Sequence, residues 1–332
     1  MKYFTPFLLA LSLAVPAYCA RPLEIYFIDT EGGQSTLIVG PSGESLLIDT
    51  GWSGRNGRDL NRILAAAKAA KIKRIDTLLI THFHADHAGG ILPLAEKFPV
   101  GRILDHGKNS ETDRAAVIVN DDYQKALAIT KREAVKAGDT IPLKGLNIKV
   151  VASDEQSIAG GGTANALCAT QKGGDYLATG ENARSVGLVI EFGKFHFIDL
   201  GDLVFNGQMR LACPNILLPK ADVYLTTHHG GDDIPQALVY AVAPRVAIMN
   251  NGAKKGGTKV AWEMLKTSPG LEDIWQLHYS VANGIDGNSP DTYLANTDEN
   301  CEGKYLKVTA EATGAFTVVN SRNKYTKSYP AK

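Results

Sequence analysis

Short apolar runs that end in aspartate or histidine recur along the chain, with amphipathic stretches between them. Residues 23–29, 35–39 and 45–48 read as strands; a Pro41-Ser42-Gly43-Glu44 turn joins the last two, and the third runs into Asp49-Thr50-Gly51. Residues 59–71 place Leu60, Ile63, Leu64 and Ala67 at helical spacing, which predicts a helix with one buried stripe. A buried strand follows over 75–80, then a helix over 88–98 interrupted at Pro93, a strand over 100–104 and a helix over 121–137. Residues 146–151, 184–192, 194–200, 222–226 and 245–249 read as strands, 259–266 as a short helix, and 274–277 as a strand leading to His278. Residues 305–310 and 315–320 alternate as a hairpin about Gly314, within a C-terminal extension over 303–332. The stretch 153–179 breaks the pattern: Gly160-Gly161-Gly162 and Gly173-Gly174 punctuate it, and it reads either as a lid or as a surface insertion.

The first twenty residues stand apart. Lys2 precedes an apolar run over 7–15, and Ala17, Cys19 and Ala20 are small residues suited to cleavage. Residues 1–20 therefore read as a signal peptide, leaving a single domain over 21–332 in the periplasm or outside the cell. No later stretch is apolar enough to span a bilayer, so no membrane contact is expected after cleavage. Lys and Arg total 35 against 35 Asp and Glu, which argues against a strongly basic nucleic-acid clamp. It leaves room for a nuclease that grips phosphate through metal ions. Cys168, Cys213 and Cys301 remain in the cleaved chain; that odd number permits at most one internal pair, with Cys168–Cys213 as a candidate. No cysteine sits near a histidine at zinc-ligand spacing.

Chemistry concentrates at residues 79–90, Leu-Ile-Thr-His-Phe-His-Ala-Asp-His-Ala-Gly-Gly. Imidazoles and carboxylates are the ligand set of zinc and similar metals. In an extended segment His82 and His84 share one side, and a turn into helix near Asp86 swings that residue and His87 toward the same point. Other candidates also follow strand ends, where ligands collect in sheet enzymes. His106 and Asp202 are candidate ligands, and Asp29 and Asp49 are carboxylates that either orient a metal-site histidine or cap turns. His228-His229 follows strand 222–226, and Asn250-Asn251 follows strand 245–249, with Asn251 near the site. His196, between Phe195 and Phe197, reads as a packing or outward-facing residue.

Phe27-Ile-Asp-Thr-Glu-Gly-Gly-Gln-Ser35, Leu47-Ile-Asp-Thr-Gly51, Thr81-His-Phe-His-Ala-Asp-His-Ala-Gly-Gly90, Leu200-Gly-Asp202 and Thr227-His-His-Gly230 occur in an order that resembles the metallo-β-lactamase fold superfamily. Within it, the chain most resembles the nuclease-like domain of the ComEC/Rec2 competence proteins and their secreted relatives. The resemblance implies an α/β fold, a four-layer αββα sandwich with the site at one edge between the sheets. It implies that His82 and His84 hold a first zinc, Asp86 and His87 a second, that Asp202 bridges and His228 completes the set, and that His229 contacts substrate or donates a proton. One departure stands out: most members carry a ligand histidine before the strand leading to the bridging aspartate, whereas Glu181–Ser185 has none. Asn182 or Ser185 takes that place, and His106 is the candidate replacement; otherwise the first site is open and weaker. One or two Zn²⁺ ions are expected, with Mn or Fe as alternatives for the same ligands. The expected function is an exported hydrolase using a metal-bound hydroxide oriented by Asp86, with a phosphodiester or other small-molecule substrate and no obligate protein partner. The alternatives are a lactone, ester or amide hydrolase, β-lactams included, and a periplasmic metal-binding module without turnover.

Overall fold

The computed structural model describes residue 1, residues 21–171 and residues 180–332. The expected signal peptide, apart from its first residue, and residues 172–179 of the glycine-rich stretch lie outside the described residues. Leu23–Phe27, Thr36–Val39 and Ser45–Ile48 form an antiparallel meander. Its side chains alternate as a strand requires: Leu23, Ile25 and Phe27 face one core, and Tyr26 and Ile28 another. Beyond Ser45–Ile48 the sheet turns parallel, through Thr77–Leu79, Arg102–Asp105 and Lys131–Ala134. On its other side, Leu306–Ala310 pairs antiparallel with Leu23–Phe27, followed by Phe316–Asn320 and Thr326–Tyr329. The C-terminal stretch therefore continues the first sheet, which has nine strands.

The second sheet, of eight strands, has the same mixed character. Asn147–Ser153, Gly187–Phe192 and Phe195–Asp199 are antiparallel, after which Val223–Leu225, Val246–Met249, Asp273–His278 and Leu294–Asn296 run parallel. Parallel neighbours need crossovers, and here these are helices that cover the outer faces. Arg58–Ala69, Ile91–Lys97 and Arg114–Leu127 cover the first sheet; Phe205–Ala212, Gln236–Val242 and Lys259–Lys266 cover the second. Between the sheets Phe27, Ile48, Leu79 and Leu104 meet Leu188, Phe197, Ile248 and Trp275. The result is the four-layer αββα sandwich. Its parallel strands deliver their C-terminal ends to one edge, where Asp49, His82, Asp202 and His228 follow.

Several local expectations need correction. The helix expected over 121–137 is Arg114–Leu127; Asp113 caps it by accepting from Ala116 N at 2.8 Å, and Lys131–Ala134 is an exposed edge strand. Pro93 does not interrupt a helix. It lies in the first turn of Ile91–Lys97, where its missing N–H costs little, and the break falls at Gly89-Gly90. Phe205–Ala212, Gln236–Val242 and Thr326–Tyr329 were not anticipated. The glycine-rich stretch is partly anchored: Thr163–Ala164 pairs with Asn215–Ile216, and a Cys168–Cys213 disulfide ties it to the end of Phe205–Ala212.

Candidate metal centre

Thr77–Leu79 ends one turn before the histidines, and Ala85–Ala88 is a single helical turn that brings Asp86 and His87 inward. The approach is close: a Cβ on Gly90 would lie 2.3 Å from Thr50 O, so only glycine fits there. From the second sheet, Phe195–Asp199 leads through Leu200-Gly201 to Asp202, and Val223–Leu225 leads to His228 and His229. Both histidines hold left-handed backbone, with φ of 51° and 56°, strain of the kind that marks functional sites.

Asp86, His87, Asp202 and His229 converge, each offering a ligand atom within 4.8 Å of the others, and all four are buried. His229 Nε2 lies 3.1 Å from Asp202 Oδ2, 3.2 Å from His87 Nε2 and 3.3 Å from Asp86 Oδ2. His87 Nε2 lies 3.2 Å from Asp202 Oδ2. Beside them His82 Nε2 faces His84 Nδ1 at 3.0 Å and Asp202 Oδ2 at 3.9 Å. Asp49 orients His87 by holding its Nδ1 at 2.7 Å, while Thr81 N and Oγ1 each donate to the Asp49 carboxylate at 2.7 Å.

The two imidazoles of the second-sheet motif trade the places expected of them. His229 is inside the cluster. His228 stands at the rim, a third exposed, with Nδ1 on Asp233 at 2.9 Å and Nε2 at 3.8 Å from Asp202 and 3.3 Å from Asn182 Nδ2. His106 is not in the cluster either: its Nε2 meets Glu181 at 2.8 Å, and its Nδ1 is buried without a hydrogen-bond partner among the described residues. Asp29 orients no histidine of this centre; it faces His278 at 2.8 Å. Asn251 donates to the Gly252 and His278 carbonyls, and it is the neighbouring Asn250 whose amide reaches His229 Nδ1 at 3.3 Å. Asn182 stands beside His228 at the rim, and Asn182 Oδ1 and Ser185 Oγ are buried without hydrogen-bond partners among the described residues. His196 faces Glu191 at 3.9 Å, away from the cluster.

The residues fit a cation. Ring nitrogens face one another across 3.0–3.2 Å, and Asp202 Oδ1 is buried with no hydrogen-bond partner among the described residues. Burial opposes ionisation of Asp86 and Asp202, yet His87 and His229 hold both carboxyls well below the usual carboxylate range. Burial also opposes the His87 cation, but Asp202, Asp86 and Asp49 outweigh it and hold the imidazolium well above its ordinary value. His82, buried and facing His87, is pushed well below and stays neutral.

Sequence reasoning missed the groups that surround this centre. Lys255 Nζ pairs with Asp86 and stands 5.0 Å from the centre of the Trp52 ring, over which Arg55 also lies at 5.5 Å. Trp52, Arg55, Arg58, Lys254 and Lys255 line a cavity of about 320 Å³ with Glu31 and Glu299. Only the lysine pair before Gly256-Gly257 hinted at it, and a lysine pair alone has no direction.

The model of the metallo-beta-lactamase superfamily matches residues 28–212. The chain belongs to this superfamily. Its resemblance to competence proteins agrees with 27% identity over 246 residues to ComE operon protein 3 of Bacillus subtilis (strain 168), covering 69% of this chain and 28% of that protein. It is also 29% identical over 143 residues to ribonuclease Z of Methanopyrus kandleri, covering 40% of this chain and 47% of that protein. The chain thus spans less than half the length of either relative. Among solved structures it is similar to the metallo-beta-lactamase fold protein YhfI of Bacillus subtilis, with 14% identity and a TM-score of 0.49, covering 76% of this chain and 96% of that one.

Proposed function

We propose that the protein is an exported metal-dependent hydrolase that favours phosphodiesters. The observation that carries the reading is the buried meeting of Asp86, His87, Asp202 and His229, with one Asp202 oxygen left without a hydrogen-bond partner among the described residues. These four would hold one divalent ion, and His82 and His84, with Asp202 between the groups, a second. A bound zinc-type ion supplies a Lewis acid and brings the pKa of a bound water toward neutrality. The chain's own residues supply the rest. Lys255, Arg55 and Arg58 attract an anionic substrate to the mouth of the centre. The Trp52 ring holds Arg55 and Lys255 over it. His228, exposed at the rim and oriented by Asp233, is placed to give a proton to the leaving oxygen. The ribonuclease Z likeness supports phosphate chemistry, and the Cys168–Cys213 disulfide supports an oxidising compartment outside the cytoplasm.

The test is a panel of bis-p-nitrophenyl phosphate, a chromogenic lactone and nitrocefin, offered to protein loaded with zinc or manganese. The phosphodiester should turn over fastest. Lys255→Ala should lower kcat/KM for it by roughly tenfold, about 1.4 kcal/mol of lost transition-state binding. Turnover of the lactone or nitrocefin alone rules against the phosphodiester preference. Full activity in a His84→Ala, Asp86→Ala double variant sinks the metal mechanism as a whole.

A further inference from the structure

Asp29, Glu31, His278 and Cys301 lie far apart in sequence, and the fold brings one ligand atom of each within 4.8 Å of the others. Asp29 and Glu31 follow the first strand, and His278 ends Asp273–His278 in the opposite sheet. Cys301 comes from the segment before Leu306–Ala310. His278 Nε2 lies 2.8 Å from Asp29 Oδ1, 3.8 Å from Cys301 Sγ and 3.9 Å from Glu31 Oε2. Cys301 Sγ lies 3.2 Å from Asp29 Oδ2 and 3.3 Å from Glu31 Oε1. Ligand atoms on a zinc tetrahedron, with bonds of about 2.0–2.3 Å, stand roughly 3.3–3.8 Å apart. The Cys301 contacts and the His278–Glu31 pair, at 3.2–3.9 Å, fall close to that spacing, and the His278–Asp29 pair at 2.8 Å is closer.

Hydrogen bonding leaves the arrangement incomplete. The thiol has one proton but faces two carboxylate oxygens and an imidazole nitrogen. Fully buried His278 has no partner at Nδ1 among the described residues, so its polar bonding runs through Nε2, the atom aimed into the group. Arg62 lies against the same group: Nη1 donates to Asp29 Oδ2 at 2.7 Å, and Nη2 to Glu31 Oε1 at 3.2 Å and to the Cys301 carbonyl and Sγ, each at 3.3 Å. Two carboxylates and a thiolate against one guanidinium leave two negative charges, the match for a dication. Carboxylate ligands commonly accept from a neighbouring donor, as Asp29 and Glu31 do from Arg62. Glu31 also lines the basic cavity, which gives an ion a path from solvent.

We propose that Asp29, Glu31, His278 and Cys301 form a second, structural site for a thiophilic divalent cation of the zinc type. Four protein ligands close the coordination shell, so the site binds without turnover. Binding breaks the Cys301 S–H bond, forms the sulfur–metal bond and releases the proton to solvent. The site fixes the start of the 29–34 loop, whose other end is fixed by Gln34 N donating to Asp86 O at 3.1 Å. It thereby steadies the floor of the catalytic centre while standing outside it. The proposal is independent of the hydrolase reading.

Cobalt distinguishes the two centres, because the first contains no sulfur. Chelated full-length protein, with its disulfide intact, is titrated with Co²⁺ and followed in the near ultraviolet. A thiolate-to-cobalt charge-transfer band should grow to one equivalent at this site, vanish in Cys301→Ser with loss of about one bound metal, and persist in Asp202→Asn. No such band in the saturated native protein, or an undiminished band in Cys301→Ser, overturns the proposal. The native spectrum decides even where a variant folds poorly.

Discussion

The Glu181 carboxylate accepts from Phe83 N at 3.1 Å and from Ser110 Oγ at 2.8 Å, and faces His106 Nε2 at 2.8 Å. Burial opposes its charge, but His106 and Ser110 outweigh it and lower the pKa from 4.5 to about 2. A depressed carboxyl pKa stabilises the fold above the unfolded value and loses that contribution as pH falls through the folded one. Glu181→Gln should therefore destabilise the chelated protein by on the order of 3 kcal/mol at pH 7, and by roughly half that at pH 3. Chemical denaturation at the two pH values measures the gap; a gap that does not change with pH would show that the Glu181 charge contributes none of it. Since His106 spends its Nε2 on Glu181, His106→Ala should leave metal stoichiometry by elemental analysis unchanged. At this scale the sequence was legible where contacts are local. His82, His84, Asp86 and His87 could be read together because one strand end and one turn place them. Which of His228 and His229 points inward depends on two left-handed φ angles, and no side-chain pattern encodes those.

At the scale of elements, the centre depends on segments 49–51 and 87–90 lying against each other. Thr50 N donates to His87 O at 2.7 Å, Thr50 Oγ1 to the same oxygen at 2.9 Å, and Gly90 N to Gly51 O at 3.1 Å. A methyl at Gly90 would meet Thr50 O at 2.3 Å, backbone that cannot swing aside like a flexible side chain. Gly90→Ala should cost about 1–3 kcal/mol and should weaken metal binding by displacing His87, as read by denaturant midpoint and by metal titration. Normal affinity in a folded Gly90→Ala protein would show that the two segments are not coupled. The strands that carry ligands were readable because burial on both faces makes them continuous apolar runs. The helix Arg114–Leu127 is hard to place from its pattern because apolar residues lie on both faces: Val117 and Ile118 are exposed, while Ala116, Val119, Tyr123 and Ala126 are buried. Its Asp113 cap was the better signal.

The whole molecule places half of the centre on each sheet, and that division has a thermodynamic consequence. His82, His84, Asp86 and His87 follow a strand of the first sheet; Asp202 and His229 follow strands of the second. Without a cation, buried carboxylates and imidazoles at this junction rely on one another for charge balance. A cation held by both groups favours the closed sandwich over any state in which the sheets part, and an ion that binds only the folded chain stabilises it by RT ln(1 + [L]/Kd). At a hundredfold excess over Kd this is about 2.7 kcal/mol, which for a chain of this length raises Tm by roughly 5 °C. Zinc added to chelated protein should produce that rise in a calorimetric scan. Asp202→Asn should remove the share that this centre contributes, because it discharges the one carboxylate among the described residues that faces His82, His87, His228 and His229 together. Cys301→Ser removes a ligand from a site that also spans both sheets, so it should remove a separate and additive part. If Asp202→Asn keeps the full rise, the stabilising ion is held elsewhere, and the junction between the sheets is stable on its own packing.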